Sequence, residues 1–348
     1  MGEILKAEAH TPSDAARGGV TWIGLLRRYL QMYWLKPLVA VNDAANAWTL
    51  QQFAWERPIL ELGAGDGVFS FIMHGGEYAL IDDRYDQSDP GRAGDMFDAY
   101  PAGTRLTIRT RARMTYDCTV DMKESHARKC VATGLYRHVF VGPPEPLPFA
   151  DSSFKTVFLY FPHGLVEVGQ RLDYPKALAE IRRVLRPDGT LILSGINDLI
   201  EGRFVCYPLA KYCERMGWAA LASYFHRLDA GRYEELSGLG HSLAEWRQIL
   251  NEAGFRLEEG WSQVRPIAWT LYDVQTRPFE RALARGSKAL RRMGLKIFIK
   301  APAIYGMLPL MALFYVLLIR PRRIKPGQSS AHDIFFSFRA VPTAKGSL

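Results

Sequence analysis

The apolar residues near the N-terminus recur with the period of an α-helix. Between Thr21 and Lys36, large apolar residues fall three or four positions apart, and two arginines lie on the opposite face. This spacing predicts an amphipathic helix, and Pro37 either ends it or begins a second helix that reaches about Trp55. We expect both helices to pack on the main domain. The alternative is that the aromatic, basic first helix lies at a membrane interface or covers a hydrophobic substrate.

Residues 58–69, with the sequence PILELGAGDGVF, predict a strand that passes through a tight turn into a helix. Gly63, Gly65 and Gly67 permit positive φ and leave no Cβ between the backbone and a ligand. The free N–H groups at the start of such a helix suit a carboxylate or a phosphate. The G-x-G-x-G spacing differs from the G-x-G-x-x-G of dinucleotide-binding proteins, which disfavours a nicotinamide-dependent enzyme.

Shorter apolar runs bounded by turn residues predict the remaining elements. Strands are predicted at residues 78–81, 116–121, 139–141, 154–161, 190–194, 255–258 and 333–339. Helices are predicted at residues 123–133, 175–185, 202–229 and 243–253, with the turn 187–189 before the fifth strand and a Ser-x-x-Glu capping box before the last helix. The run 154–161 is almost continuously apolar, which suits a strand buried on both faces of a parallel sheet. Residues 1–19 are expected to form a flexible tail without a secretory signal.

Three stretches, in order, resemble motifs of the class I S-adenosylmethionine-dependent methyltransferases, of the type 11-like group. Residues 61–67 (ELGAGDG) resemble the first motif, and residues 147–154 (LPFADSSF) and 179–191 (AEIRRVLRPDGTL) resemble later ones. The resemblance covers about residues 56–260 and returns near the C-terminus. It implies an α/β fold in which a Rossmann-like seven-stranded sheet carries helices on both faces, and it implies S-adenosyl-L-methionine as the cofactor.

The resemblance also divides the chain. Residues 1–55 form an N-terminal tail and amphipathic helices, and residues 56–260 form the methyltransferase domain, with 77–113 as an insertion over the site. Residues 261–330 form a basic and apolar insertion before the last strand, and residues 331–348 contain that strand and a tail.

The family pattern assigns the cofactor-binding residues. Glu61 and the glycine turn would hold the methionine end, an acid at the end of the second strand would hold the ribose, and the ends of the third and fourth strands would complete the site. The implied cofactor-binding residues are Glu61, Gly63, Ala64, Gly65, Gly67, Asp121, Met122, Pro144, Glu145 and Tyr160.

The acid at the second strand has two candidates. Asp82 or Asp83 lies about twenty residues beyond the glycine turn, which is the ordinary distance. Asp121 lies farther away, but the residues that follow it match the family in length and pattern. We favour Asp121, which makes residues 77–113 the insertion.

One position departs from the family. After the third strand the family usually has Gly-Asp-Ala-Glu, whose Asp binds the adenine amino group, whereas this chain has Gly142-Pro143-Pro144-Glu145. Adenine recognition is therefore expected to use backbone groups around Pro144 and Glu145.

His163 is the candidate general base. It follows the fourth strand, where substrate and methyl donor should meet, and its ordinary pKa suits proton transfer. A histidine that only caps or packs at the strand end is the alternative. The same place holds no Asn/Asp-Pro-Pro-aromatic motif, which disfavours a nucleic-acid methyltransferase.

Charge and hydropathy add a membrane hypothesis. Of the net charge of +8, residues 277–325 carry +11, so the rest of the chain is at −3. Within that window, residues 301–319 contain no charge, while prolines and a glycine interrupt them. Basic residues on both sides suggest an interfacial or re-entrant segment whose flanks lie on anionic head groups, rather than a crossing helix.

The sequence thus predicts a methyltransferase on the cytoplasmic face of a membrane, peripheral or monotopic, that acts on a hydrophobic or lipid-linked small molecule and not on nucleic acid. One alternative is a soluble methyltransferase whose apolar segment is a dimer contact. Another is a membrane adaptor that keeps the fold without catalysis. The four cysteines show no metal-ligand spacing, so free thiols in a reducing compartment are expected and no metal is predicted.

Overall fold

The computed structural model describes residues 4–6, 19–92, 95–101, 105–143, 145–160, 173–236, 239–276, 279–325, 327–328 and 330–343. Its strands are β1 (Ile4–Lys6), β2 (Ile59–Leu62), β3 (Glu77–Tyr78), β4 (Ile108–Thr110), β5 (Tyr116–Asp121), β6 (Tyr136–Val141), β7 (Phe154–Tyr160), β8 (Leu185–Ile196), β9 (Phe255–Gln263), β10 (Arg322–Arg323) and β11 (Phe335–Pro342). Its helices are α1 (Trp22–Met32), α2 (Pro37–Leu50), α3 (Val68–Met73), α4 (Glu124–Thr133), α5 (Tyr174–Val184), α6 (Cys206–Arg215), α7 (Ala219–Leu236), α8 (Leu243–Glu252), α9 (Pro266–Thr276), α10 (Glu280–Arg292) and α11 (Lys296–Phe314).

In the described part of the chain, nine strands form one sheet in the order β1-β6-β5-β2-β7-β8-β11-β9-β10. The five strands from β6 to β8 in this order are parallel to one another. Their order is that of a doubly wound sheet: the chain first adds β5 and β6 on one side of β2 and then adds β7 and β8 on the other side. β11 is antiparallel to both β8 and β9. The predicted Rossmann-like α/β sheet is confirmed, with the short strands β1 and β10 added at its edges.

Helices cover both faces of this sheet. One apolar cluster joins the sheet to α5 and α8, with Trp246 fully buried at its centre. The larger cluster lies on the other face and joins the sheet to α1, α2, α3, α4, α9 and α11. The N-terminal helices therefore pack on the domain, as expected, and α1 and α2 lie between the sheet and α11.

Three local predictions are wrong. Residues 4–6 are not part of a tail but pair with β6, because an open sheet edge offers unpaired backbone groups. Of the expected strand 78–81, only Tyr78 lies in a strand, and together with Glu77 it pairs with β4 in a separate two-stranded sheet. The expected turn 187–189 lies inside β8, as a bulge between the pairs formed by Leu185 and Thr190.

The segment between β9 and β11 forms helices that lie against the domain. α11 continues through Pro302 and Pro309 into a π-helical turn, Tyr315–Ile319. Its start is held by buried lysines, and its end is held by Val264 and Arg265, whose N–H groups donate to the carbonyls of Ile319 and Leu318 at 3.2 and 3.0 Å.

A buried ion cluster ties this segment to the residues after β3. Asp82, Asp83 and Asp86 are buried, and Lys296 Nζ lies 2.9 Å from a carboxylate oxygen of Asp83 and 2.8 Å from one of Asp86. Arg291 pairs with Asp82 at 2.8 Å and with Asp86 at 2.6 Å. Part of the basic flank expected on lipid head groups is therefore neutralised inside the protein.

Lys296→Met should destabilise the fold strongly. The substitution keeps the length of the side chain but leaves two buried carboxylates without their shared cation, which costs about 3–5 kcal/mol. Lys325→Met is the matched control, since Lys325 is exposed. Urea unfolding of both variants measures the difference, and equal midpoints would contradict a structural role for the cluster.

Candidate functional site

The turn between β2 and α3 is built from three glycines with positive φ, at 68° for Gly63, 59° for Gly65 and 72° for Gly67. A Cβ on Gly67 would lie 3.2 Å from Cys130 Sγ and equally near two other side chains, so this glycine is required by packing. A Cβ on Gly65 would meet nothing within 4 Å. Gly65 therefore presents bare backbone to open space, which is the property expected of a ligand-binding turn.

Glu61 lies beneath this turn. Its side chain is buried, and its carboxylate accepts hydrogen bonds from Ser70 Oγ and the Tyr136 hydroxyl, both at 2.7 Å. Burial raises the pKa of Glu61 to about 7, against the opposing effect of these two donors. In this structure Glu61 links β2, α3 and β6 and so fixes the turn from below.

Asp121 ends β5 directly beside the turn. One of its carboxylate oxygens accepts the N–H of Gly65 at 3.0 Å, and the other accepts that of Lys123 at 2.9 Å. His126 lies 3.4 Å from Asp121 and 3.1 Å from Asp98, and despite burial these two carboxylates raise its pKa to about 9. Asp121 is buried, whereas the neighbouring Met122 is partly exposed. Asp83, the competing candidate, belongs to the buried ion cluster.

Residues between β3 and β4 reach over the turn from the side. Arg84 pairs with Asp66 of the turn at 3.1 Å, and its guanidinium lies 4.1 Å from the centre of the Phe97 ring. Asp98 pairs with Lys123 at 2.8 Å. Sequence reasoning placed this segment over the site but identified none of these contacts, because nothing in its polar composition distinguishes Arg84 from its neighbours.

Tyr160 ends β7 on the opposite side of the turn. Its ring stacks on Phe69 of α3, with 3.7 Å between ring centres, and Asn46 of α2 lies against its hydroxyl. Glu145 is partly buried near the end of β6. Pro144 and His163 lie outside the described residues.

The N-terminal helices close the site from above. Asp43 of α2 is partly exposed on a helix that is otherwise mostly buried, and the Tyr33 hydroxyl faces its carboxylate as a donor. Burial raises the pKa of Asp43 to about 7. Asp43, Gly65, Asp66, Arg84 and Tyr160 are each partly exposed, and the guanidinium of Arg84 lies between Asp66, at 3.1 Å, and the Tyr33 ring, at 5.7 Å from its centre. We call the surface formed by these five residues the strand-end recess. Sequence reasoning missed Asp43, whose only signal is one acid on the apolar helix 37–55.

These residues fit S-adenosylmethionine. The bare backbone at Gly65 admits a ligand, and the carboxylate of Asp121 lies next to it. The recess beyond offers carboxylates and aromatic rings, which suit a sulfonium cation. When bound, this cofactor supplies an electrophilic methyl group, so the protein has only to bind, orient and move protons.

The comparison with protein families decides the assignment. Residues 107–193 match the family model described as a methyltransferase domain. Residues 107–193 belong to a class I S-adenosylmethionine-dependent methyltransferase domain. The match begins at residue 107, just before β4 and inside the segment that separates the glycine turn from β5, so it does not include the turn. S-adenosyl-L-methionine is the cofactor of this methyltransferase.

Solved structures similar to the methyltransferase include three bacterial proteins. A possible histamine N-methyltransferase from Thermotoga maritima is 12% identical, with 91% of this chain and 99% of that chain covered and a TM-score of 0.46. A putative methyltransferase from Bacillus halodurans is 15% identical, with coverages of 86% and 99% and a TM-score of 0.40. A Geobacter sulfurreducens methyltransferase in complex with S-adenosyl-L-homocysteine is 11% identical, with coverages of 86% and 90% and a TM-score of 0.38. At such low identities, these similar structures do not indicate the substrate or the partners of this chain.

No curated protein gives a significant match to the chain.

Gly65→Ala should weaken S-adenosylmethionine binding by tenfold or more, because its Cβ enters the space over the turn. Gly134→Ala is the matched control: Gly134 has φ of 65° and a Cβ there also meets nothing within 4 Å, but it ends α4. Both variants should lose about 1–2 kcal/mol of stability, the usual cost of a left-handed residue with a Cβ. Calorimetry with the cofactor separates them, and unchanged affinity in Gly65→Ala would contradict the assignment of the turn.

Asp121→Asn and Asp83→Asn should have opposite effects. Asp121 orients Gly65 and stands at the strand end expected to hold the ribose, so its loss should reduce cofactor affinity more. Asp83 binds Lys296 and the indole of Trp34, so its loss should lower the unfolding midpoint more. Calorimetry measures the cofactor affinity of both variants, and thermal unfolding measures their midpoints. Weaker cofactor binding in Asp83→Asn than in Asp121→Asn would exchange the two roles.

Proposed function

We propose that this methyltransferase acts on a hydrophobic or lipid-linked small molecule at the cytoplasmic face of a membrane. The observation that carries the proposal is α11 with its π-helical turn. Residues Lys296–Ile319 are the one described helical segment long and apolar enough to cross a bilayer, with a mean hydropathy of 2.0, yet only 22% of the tested window is buried. A core helix of a soluble domain would be mostly buried.

The outer face of α11 and its π-helical turn presents large apolar side chains to solvent. The exposed members are Ile297, Phe298, Ile299, Tyr305, Leu310, Leu313, Val316 and Leu317. Phe298 is the extreme case, with 74% of its surface exposed. A contiguous apolar face of this kind supports an interaction with a bilayer or with another protein surface.

Both ends of this helix are bound to the domain, at Lys296 and at Ile319. A bilayer crossing would have to break the buried ion cluster at one end and the contacts with β9 at the other. These contacts favour a helix that lies in the interface, with its outer face in the acyl region. The interruptions by Pro302 and Pro309 do not bend it away from the domain, because it continues as a helix through both.

Charge selects a bilayer over a neutral partner. α10, which precedes the apolar helix, carries four arginines and one lysine, and Arg292 is exposed next to Met293, which is 59% exposed. Each such cation contributes about 1 kcal/mol at an anionic membrane surface. A surface that combines exposed cations with large apolar side chains matches the interface of a membrane that contains anionic lipids.

The same helix lies close to the strand-end recess. Lys296, at the start of α11, pairs with Asp83 at 2.9 Å, and Arg84, the residue after Asp83, pairs with Asp66 of the glycine turn at 3.1 Å. The start of α11 is therefore joined to the cofactor turn through two adjacent residues. This proximity supports a substrate with an apolar part.

Arg292→Glu should weaken binding to vesicles of phosphatidylcholine and phosphatidylglycerol by about 2 kcal/mol, roughly 30-fold, because it changes two units of charge at the surface. Arg186→Glu makes the same change at an exposed position near the start of β8 and should have little effect. Flotation with and without phosphatidylglycerol measures both variants.

Phe298→Asp should weaken vesicle binding even without the anionic lipid, because it removes apolar area. A wild-type protein that stays unbound and elutes as a dimer would overturn the membrane proposal in favour of a soluble enzyme with an apolar dimer contact.

A further inference from the structure

We propose that Asp43 is the proton acceptor of the methyl-transfer reaction and that its substrate therefore reacts through a hydroxyl or an amine. The inference rests on the methyl transfer proposed above and adds the class of the reacting atom. Asp43 lies on α2, outside the segments that carry the family motifs.

The placement of Asp43 supports this role. Its neighbours along α2 are buried, including Ala44 and Ala45 at 0% exposure, yet Asp43 itself remains partly exposed. It interacts electrostatically with Asp66 of the cofactor turn and with Tyr160 at the end of β7. The carboxylate therefore borders the recess next to the strand ends, where a methyl acceptor must enter.

Five polar or charged groups from the elements around the recess interact electrostatically with Asp43. Tyr29 and Tyr33 come from α1 and its end, Asp66 from the turn, Arg84 from the segment after β3, and Tyr160 from β7. Arg84 and the Tyr33 hydroxyl favour the charged carboxylate, whereas Asp66 disfavours it.

Burial is the largest influence on Asp43 and raises its pKa to about 7. Such a carboxylate is charged often enough at neutral pH to accept a proton and basic enough to keep it.

The carboxylates of the other acids near the turn already have hydrogen-bond or ion-pair partners. Asp66 pairs with Arg84, which helps to hold its pKa below the ordinary value, and Glu61 lies under the turn with both oxygens bonded. Asp121 accepts two backbone N–H groups. Among the described residues, Asp43 forms no ion pair within 4 Å, so its carboxylate remains available for a substrate proton.

Tyr33 is a positioning residue for Asp43. Burial raises the pKa of Tyr33 well above its ordinary value, so the phenol stays protonated and acts only as a donor. A donor on one carboxylate oxygen restricts the rotation of the carboxylate and leaves the second oxygen to the recess. Asn42 and Asn46 lie on the same side of α2, and Asn42 Oδ1 is buried without a hydrogen-bond partner within the described ranges.

The step balances as follows. A lone pair of the substrate oxygen or nitrogen forms a bond to the methyl carbon, and the bond between that carbon and sulfur breaks with its electrons moving to sulfur. The sulfonium becomes a neutral thioether. The proton of the nucleophile passes to Asp43, which becomes a neutral carboxylic acid and later releases the proton to water.

The first test is a titration that needs no substrate. Protein labelled with 13C at aspartate carboxyls is titrated with S-adenosylhomocysteine bound, for wild type and Asp43→Asn. We expect one resonance that titrates near pH 7 in the wild type and is absent from the variant. If no carboxyl that disappears in Asp43→Asn titrates above about pH 5.5, the proposal is overturned.

The second test is transfer of labelled methyl from S-adenosylmethionine to the lipid and water-soluble fractions of a cell extract. At saturating S-adenosylmethionine, Asp43→Asn should lower the rate by about 10²–10⁴-fold, and Asp43→Glu should restore part of that rate. Tyr33→Phe should move the acidic limb of the pH–rate profile to higher pH, since it removes a donor that favours the charged carboxylate.

The outcomes separate the two proposals. Label in the water-soluble fraction would overturn the lipid-like substrate while the comparison of Asp43 variants still holds. Asp43→Asn with a rate within about threefold of wild type, or with product methylated on carbon, would overturn the role of Asp43 and leave the substrate class intact.

Discussion

Three buried carboxylates set the arrangement of the parts outside the sheet. Asp82, Asp83 and Asp86 lie in the core, where unpaired charges would cost several kcal/mol each. Their cations come from α10 and α11, about two hundred residues later in the chain. This pairing fixes α11 on the N-terminal helices, and it fixes the segment after β3 beside the glycine turn. Both insertions are therefore held in place by the same buried ion cluster. The residues that cover the glycine turn are in turn held in place by both insertions.

The sequence predicts what local chemistry decides. The glycine turn, the capping box at Ser242 and the apolar strand β7 follow from backbone conformation, hydrogen bonding and continuous hydrophobicity, and the structure has all three. The last strand was also predictable across an interruption of about seventy residues, because the apolar, aromatic run 334–338 follows where the family fold lacks its last strand. β11 indeed pairs with β8 and β9 on its two sides.

Long-range pairing was not predictable. Lys296 reads as one basic residue beside an apolar segment, and only the folded chain shows that it is buried with Asp83 and Asp86. Asp43 likewise reads as a single acid in an apolar helix. Its raised pKa comes first from burial, and Tyr33, Asp66 and Arg84 from three other parts of the chain modify it further. The pattern of residues along the sequence does not show which distant parts of the chain will surround a given side chain.

The N-terminal extension therefore belongs to the site. A carboxylate on the surface of an isolated helix would have an ordinary pKa and would be a weak base at neutral pH. Packing α1 and α2 over the strand ends removes water from Asp43, and that desolvation is what makes its affinity for a proton suitable. The same packing rests on α11, whose outer face is exposed and apolar. The surface proposed to bind a bilayer and the helices that carry the proposed base are thus two sides of one layer, so membrane binding and proton affinity would depend on the same contacts.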